Sequence, residues 1–299
     1  MKKKNIWMAL LAAGIFLAAG ATALADRVDA VLDKPFLALG ADLKAQERET
    51  VLRLLGVTEQ ELANYDVITV TNADEHAYLD EYLDNSIIGS RALSSVKVVG
   101  REAGSGIHVD TSNISYCTAG MYRNALITAG VEDADITVAG PFSISGTAAL
   151  VGAIKAYETM TGEEIPEVNM DAANNELVIT GEIVENVGDS QKVEELMALV
   201  KQKVAEGSVK SREDIEALVG QAAEELDVSL SDEDRDKIAG LMDKIDGLNL
   251  NVDAIKEQAQ ELYNKLDSLD FHFDTESVGN FFTRIVDAIV GFFQNLFSK

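Results

Sequence analysis

Residues 91–114 read RALSSVKVVGREAGSGIHVDTSNI, and the reading of this stretch decides the fold. Two runs rich in β-branched residues, 91–99 and 106–114, flank Gly104-Ser105-Gly106. Glycines between two such runs suit a hairpin turn, so the stretch predicts two neighbouring antiparallel strands. An antiparallel pair inside a helix–strand alternation argues against a doubly wound, all-parallel sheet. It predicts an α+β (mixed α/β) N-terminal domain with a helix-covered mixed sheet.

The flanking segments supply the rest of that domain. Residues 42–55 read as a helix with Val51, Leu52, Leu54 and Leu55 inward, and Thr58 with Glu61 forms a capping box for a short helix. The β-branched run 67–71 is a strand, and Asn72 is expected to cap a helix at about 73–84. On the other side, a helix at about 118–129 ends at Gly130, and a strand at 136–139 is expected to stop at Gly140-Pro141. A final helix at about 147–160 closes the region.

Beyond residue 161 strand signals nearly vanish, and the expectation is an all-α region. Helices are predicted at 167–187, 190–206, 212–227, 232–246, 252–268 and 278–297, two of them opened by Ser211/Asp214 and Ser231/Asp234. A 3-4 spacing runs from Ile238 through Leu248, Val252 and Ile255 to Leu269. Gly247, Asn249 and Asn251 interrupt it, which favours two helices packed as a hairpin over one coiled coil. The predicted domains are 1–25, 26–160, 161–277 and 278–299.

Residues 1–25 read as a signal peptide. Lys2, Lys3 and Lys4 precede an apolar run from Ile6, and Ala23-Leu24-Ala25 offers small residues at a cleavage site between Ala25 and Asp26. The run is barely long enough to span a bilayer uncleaved. Cleavage predicts a secreted, extracytoplasmic protein of the cell envelope. The chain's charge of −26 becomes −29 when the three lysines leave. Such a charge repels nucleic acid and anionic membrane surfaces. Cys117 is the sole cysteine, so no internal disulfide forms, and a buried role in packing is expected for it.

The C-terminal segment is a separate feature. On a helical wheel Phe281, Phe282, Ile285, Ile289, Phe292, Phe293 and Leu296 share one face, opposite Arg284, Asp287 and Asn295. Arg284 and Asp287 argue against a membrane span, and the polar face is poor in lysine and arginine. This amphipathic helix is expected to dock on the protein, on a membrane surface, or on a partner or second copy.

Catalytic signatures are missing. His76, His108 and His272 fit no metal-binding spacing, and there is no nucleophile elbow, P-loop or complete GxGxxG. Asp232, Asp234 and Asp236 imitate an EF-hand start, but Lys237 stands where the loop needs glycine. Neither cofactor nor metal is expected. The best candidate ligand turn is Ser143, Ser145, Gly146 and Thr147, between a strand and a helix start, where free amides and hydroxyls can hold an anion. Alternatively, Ser145 or Thr147 simply caps the helix. His108 and Asp110, two apart on one strand face, are weaker candidates.

Several segments together carry a resemblance: Leu39–Leu43, Val67–Leu79 (VITVTNADEHAYL), Ile88–Ala92, Met121–Gly130 (MYRNALITAG) and Pro141–Glu158 (PFSISGTAALVGAIKAYE). They resemble the YpuA-like exported proteins of Gram-positive bacteria, domain of unknown function 1002. The resemblance implies an exported, envelope-associated protein and supplies no catalytic residues. The expected function is non-enzymatic binding or structural work at the envelope, with a wall component or an envelope protein as partner. A secreted hydrolase of wall polymer, with His108, Asp110 and the 141–147 turn converging on one cleft, is the first alternative. A small-ligand or cation-binding module is the second.

Overall fold

The computed structural model describes residues 34–259, apart from positions 103, 163, 208, 210, 249 and 257. The expected signal peptide at residues 1–25, His272, the heptad positions from Leu262 onward and the Phe-rich tail lie outside the described residues. The α+β architecture is present: a five-stranded mixed sheet with helices, then a run of helices.

The strands are β1 (Phe36–Gly40), β2 (Asp66–Val70), β3 (Ser95–Gly100), β4 (Ile107–Ile114) and β5 (Ala134–Ile144), in the order β2-β1-β3-β5-β4. β2 is parallel to β1 and β4 to β5, while β3 lies antiparallel between the two pairs. The expected hairpin is therefore not formed. β3 and β4 run in opposite directions, but β5 inserts between them. Asp133, just before β5, explains how. Its carbonyl accepts from Arg101 N at 3.0 Å and its carboxylate from Gly106 N at 2.7 Å, so both ends of the 101–106 turn bond to the segment entering β5. Val96 and Val98 then pair with Val138 and Ile136 in the sheet centre.

One strand was not foreseen, and one further expectation changes. β1 carries no β-branched residue, yet all five residues are buried, in a strand flanked by β2 and β3. β5 does not end at Gly140-Pro141. Its pairing with β3 stops at Ala139, and residues 140–143 bulge before Ile144 rejoins Ile114. Asn113 takes φ 59° at the bulge and donates from Nδ2 to the Gly140 carbonyl at 3.0 Å. Pro141 thus lies where no neighbour on the β3 side needs its missing N–H.

Helices cover both faces. Helix α1 (Ala45–Leu54) packs Val51 and Leu52 with Leu55 on Leu37, Leu39 and Ala139. A 3₁₀ turn (Glu59–Asn64) follows, and the short helices α2 (Asn72–Leu79) and α3 (Asn85–Ile88) come after β2. Thr71, not Asn72, caps α2, its hydroxyl accepting from Asp74 N at 3.1 Å. On the second face, α4 (Ala119–Ala129) and α5 (Thr147–Thr161) enclose a core with Ala38, Val96, Val109, Ile136 and Val138. Gly152 permits the close approach of α5. A Cβ there would sit 2.8 Å from Ala38 Cβ and 3.1 Å from Val96 Cγ1.

The helical half begins with α6 (Glu167–Val187), followed by α7 (Ser190–Ala205), α8 (Arg212–Glu225) and α9 (Asp232–Asp246). Ser211 and Ser231 cap α8 and α9 as their spacing predicts. α6 serves both halves: Ala173 and Leu177 belong to the sheet-side core, Ala172 and Ile183 to the core of α6–α9. α9 stops at Gly247, and helix resumes at Val252. Ile255 then joins the sheet-side core and Ala259 packs on Ala198, so the chain turns back rather than extending as one helix.

The seam between the halves contains a buried ion pair. Lys201 Nζ of α7 donates to Glu176 Oε1 at 3.0 Å, and also to Thr128 Oγ1 and the Asn124 carbonyl of α4. Both charged side chains are fully buried. Among the described residues, no helix is long and apolar enough to cross a membrane.

Candidate functional site

The sheet topology brings the carboxyl ends of β1, β2, β4 and β5 to one edge, with the start of β3 among them. In open α/β sheets, ligands collect in the crevice outside such ends. A cleft of about 450 Å³ opens there. Its walls come from the β5–α5 turn, α2, the 86–94 segment and the end of β4.

The candidate turn enters this cleft in part. Ser145 and Thr147 line it, with their hydroxyl oxygens 3.3 Å apart. Gly146 is buried behind them at φ 102°, and its carbonyl accepts from the Tyr122 hydroxyl at 2.5 Å. A Cβ at Gly146 would meet Tyr122 Oη at 2.6 Å and Ile114 Cγ2 at 2.8 Å, so the tight strand-to-helix turn depends on glycine. Ser143 points elsewhere, exposed on the bulge, whereas Phe142 stands at the cleft mouth, 49% exposed. The capping alternative is corrected as well. Gly146 is the N-cap and has no side chain to offer, so the help comes from another loop: Ser94 Oγ accepts from Ala149 N at 2.9 Å.

The floor holds a residue that sequence reasoning missed. Glu75, in the first turn of α2, is 1% exposed. Its Oε1 accepts from the Thr147 hydroxyl at 2.7 Å and its Oε2 from Asn72 Nδ2 at 3.2 Å. Burial pushes this carboxyl above its ordinary range, against the pull of those two hydrogen bonds. Arg91 is the other charged lining residue, and it is already engaged. It donates to Glu47 Oε2 at 2.6 Å and to the Asp42 carbonyl at 2.7 Å. An acid in a first helical turn ordinarily complements the helix dipole, so Glu75 gave no sign in the sequence of its place in a cleft. The capping box at Thr71 and Asp74 was the available clue, because it fixes where α2 starts relative to the end of β2.

His108 and Asp110 occupy the other end of β4. His108 pairs with Asp135 and Ile114 with Ile144, so His108 lies six strand positions, about 20 Å, from the turn. Both side chains share the face that α1 leaves open, beside Arg101, which donates to Asp135 Oδ2 at 2.8 Å. His108 Nδ1 is 3.7 Å from Asp135 Oδ1. The expected convergence of His108, Asp110 and the 141–147 turn is therefore not formed, since a base must reach its proton within hydrogen-bond distance.

Other candidates resolve into structural roles. Cys117 is fully buried behind Gly146, and burial pushes its thiol up to about 12, which leaves no thiolate to react. Asp234 is the capping-box acid of α9, and Asp236 pairs with Arg212 at 2.6 Å. Among the described residues no cluster of three or more His, Cys, Asp or Glu side chains is arranged to hold a metal. A larger groove of about 720 Å³ runs between α2, α6 and the end of α9. Its central charges are already paired: the Tyr82 hydroxyl donates to Asp171, which also receives Lys244 Nζ at 3.1 Å, while Asn174 Oδ1 is buried without a hydrogen bond. The smaller cleft is the stronger site because the Ser145 hydroxyl lies beside that of Thr147, which bonds a buried carboxyl.

Residues 39–262 match the family model described as "Protein of unknown function (DUF1002)". The chain is 36% identical over 296 residues to Uncharacterized protein YpuA of Bacillus subtilis (strain 168), an alignment covering 99% of each chain. No solved structure matches it.

Proposed function

This chain belongs to the DUF1002 family, and on that premise we propose that it is an exported, envelope-associated binding protein whose ligand site is the cleft at the carboxyl edge of the sheet. Residues 1–25 direct export and are removed before Asp26. Residues 278–299 supply a second contact through Phe281, Phe282, Ile285, Ile289, Phe292, Phe293 and Leu296, to a membrane surface, a partner or a second copy.

One observation carries the binding reading. The cleft gathers Ser145 and Thr147 from one chain segment and Glu75 from another, yet among the described residues only one carboxyl and no imidazole line it. Hydrolysis of a glycosidic bond ordinarily takes two carboxyl groups at a set separation. A single buried carboxyl bonded by one hydroxyl and one amide suits recognition of a polar ligand instead. The wall polymer outside a Gram-positive membrane offers such ligands, and the negative charge of the chain keeps it clear of nucleic acid.

Sedimentation with purified cell-wall sacculi tests the proposal. The full chain is expected in the pellet, and Ser145→Tyr, which fills the cleft mouth, is expected to release it. A chain that stays in the supernatant, or a Ser145→Tyr variant that pellets unchanged, contradicts the reading.

A further inference from the structure

The charges around the cleft select a ligand class. Glu75 and Arg91 are the only charged side chains lining it among the described residues. Arg91 is neutralised by Glu47, with contacts at 2.6 Å and 3.3 Å. Glu75 has no basic hydrogen-bonding partner. Its bonds come from the neutral Thr147 hydroxyl and Asn72 amide, and the neighbouring His76 ring pairs with Asp80. An anionic ligand would meet an uncompensated carboxylate here. A cation would supply the charge that the floor lacks.

Stereochemistry narrows the class. A carboxylate has about four lone-pair sites, and two incoming hydrogen bonds leave room for others. An ammonium offers three donors, and a charge-assisted hydrogen bond is about twice as strong as a neutral one. Ser86, Ser90 and Ser145 set hydroxyls around the opening. Phe142 presents an exposed aromatic face at the mouth, on which the C–H face of a sugar ring can lie. Burial raises the Glu75 carboxyl, and a cation beside it would act in the opposite direction.

Resting on the reading of this cleft as the ligand site, we propose that it recognises a protonated amine on a hydroxylated ring, an unacetylated amino sugar, with Glu75 receiving the ammonium and Phe142 lying against the ring. Both are binding residues.

Titration calorimetry of the full chain with glucosamine, N-acetylglucosamine and glucose tests this, near pH 6.5, where an amine of this kind is protonated. Glucosamine is expected to bind about tenfold tighter than the other two. Glu75→Gln keeps the shape and removes the charge, so it should erase that preference, with circular dichroism checking the fold. Phe142→Ala, at an exposed position, should weaken glucosamine and glucose together. Equal affinity of the wild-type chain for all three sugars overturns the proposal, as does a preference that survives Glu75→Gln or no glucosamine binding at all. Equal affinities together with retained sacculus binding defeat the ammonium assignment alone. Loss of sacculus binding defeats the reading beneath it.

Discussion

The two halves of this molecule bury polar groups in opposite ways. The sheet half packs its core from aliphatic side chains and directs its buried carboxyl, Glu75, to the floor of an open cleft. The helical half seals its charges inside. Glu176 is closed off by Lys201, and Glu195 is fully buried with neither carboxylate oxygen hydrogen-bonded. The sheet half should therefore respond most to added volume, and the helical half to changed charge.

The largest expected effect is at the seam. Lys201→Met leaves Glu176 as an uncompensated buried charge and should cost about 3–5 kcal/mol in urea unfolding. Adding Glu176→Met to it should recover much of the loss. A single variant costing under about 1 kcal/mol would mean that water reaches the pair and would break the comparison.

Gly152→Ala probes the sheet half. One methyl group driven against Ala38 and Val96 should cost about 1–3 kcal/mol, because its nearest neighbour is a Cβ held by the backbone. Unchanged stability would show that α5 can shift off the sheet.

Glu195→Met should stabilise. Removing an unsatisfied buried carboxyl is worth about 1–3 kcal/mol at pH 7. Burial raises this carboxyl well above its ordinary range. The folded state thus keeps a proton that the unfolded chain gives up, and stability falls as pH rises from the ordinary carboxylate range through the raised one. The gain from Glu195→Met should accordingly shrink as pH is lowered toward that ordinary range. A gain independent of pH would show that the carboxyl is not the cause.

The smallest effect is expected at the cleft. Glu75→Gln preserves an acceptor for Thr147 and should change the unfolding free energy by less than about 1 kcal/mol at neutral pH. A large loss would make Glu75 a structural residue like Glu176.

The two halves also differed in how far their sequences could be read. Helices Glu167–Val187 and Asp232–Asp246 fall where the pattern placed them, because Pro166, Gly188 and the Ser231/Asp234 box are local signals that act within one turn. Strand order is not local. Residues 91–114 carried correct strand propensities, but their pairing was decided by Asp133, more than twenty residues downstream of Ile107. Phe36–Gly40 lacks β-branching and still forms the interior strand β1, since burial on both faces outweighs propensity there. The Ser145–Thr147 turn was visible from its strand–glycine–helix pattern. Glu75 and Ser94 were not, because they reach the same cleft from segments more than fifty residues away.

Hydrogen–deuterium exchange of the full chain, with and without solubilised wall glycan, tests the central claim most directly. Bound glycan should slow exchange across residues 86–94 and 142–149 at the carboxyl edge and leave the start of β4, around His108, unchanged. Slowing confined to the His108 end, or none at the carboxyl edge, would contradict the account.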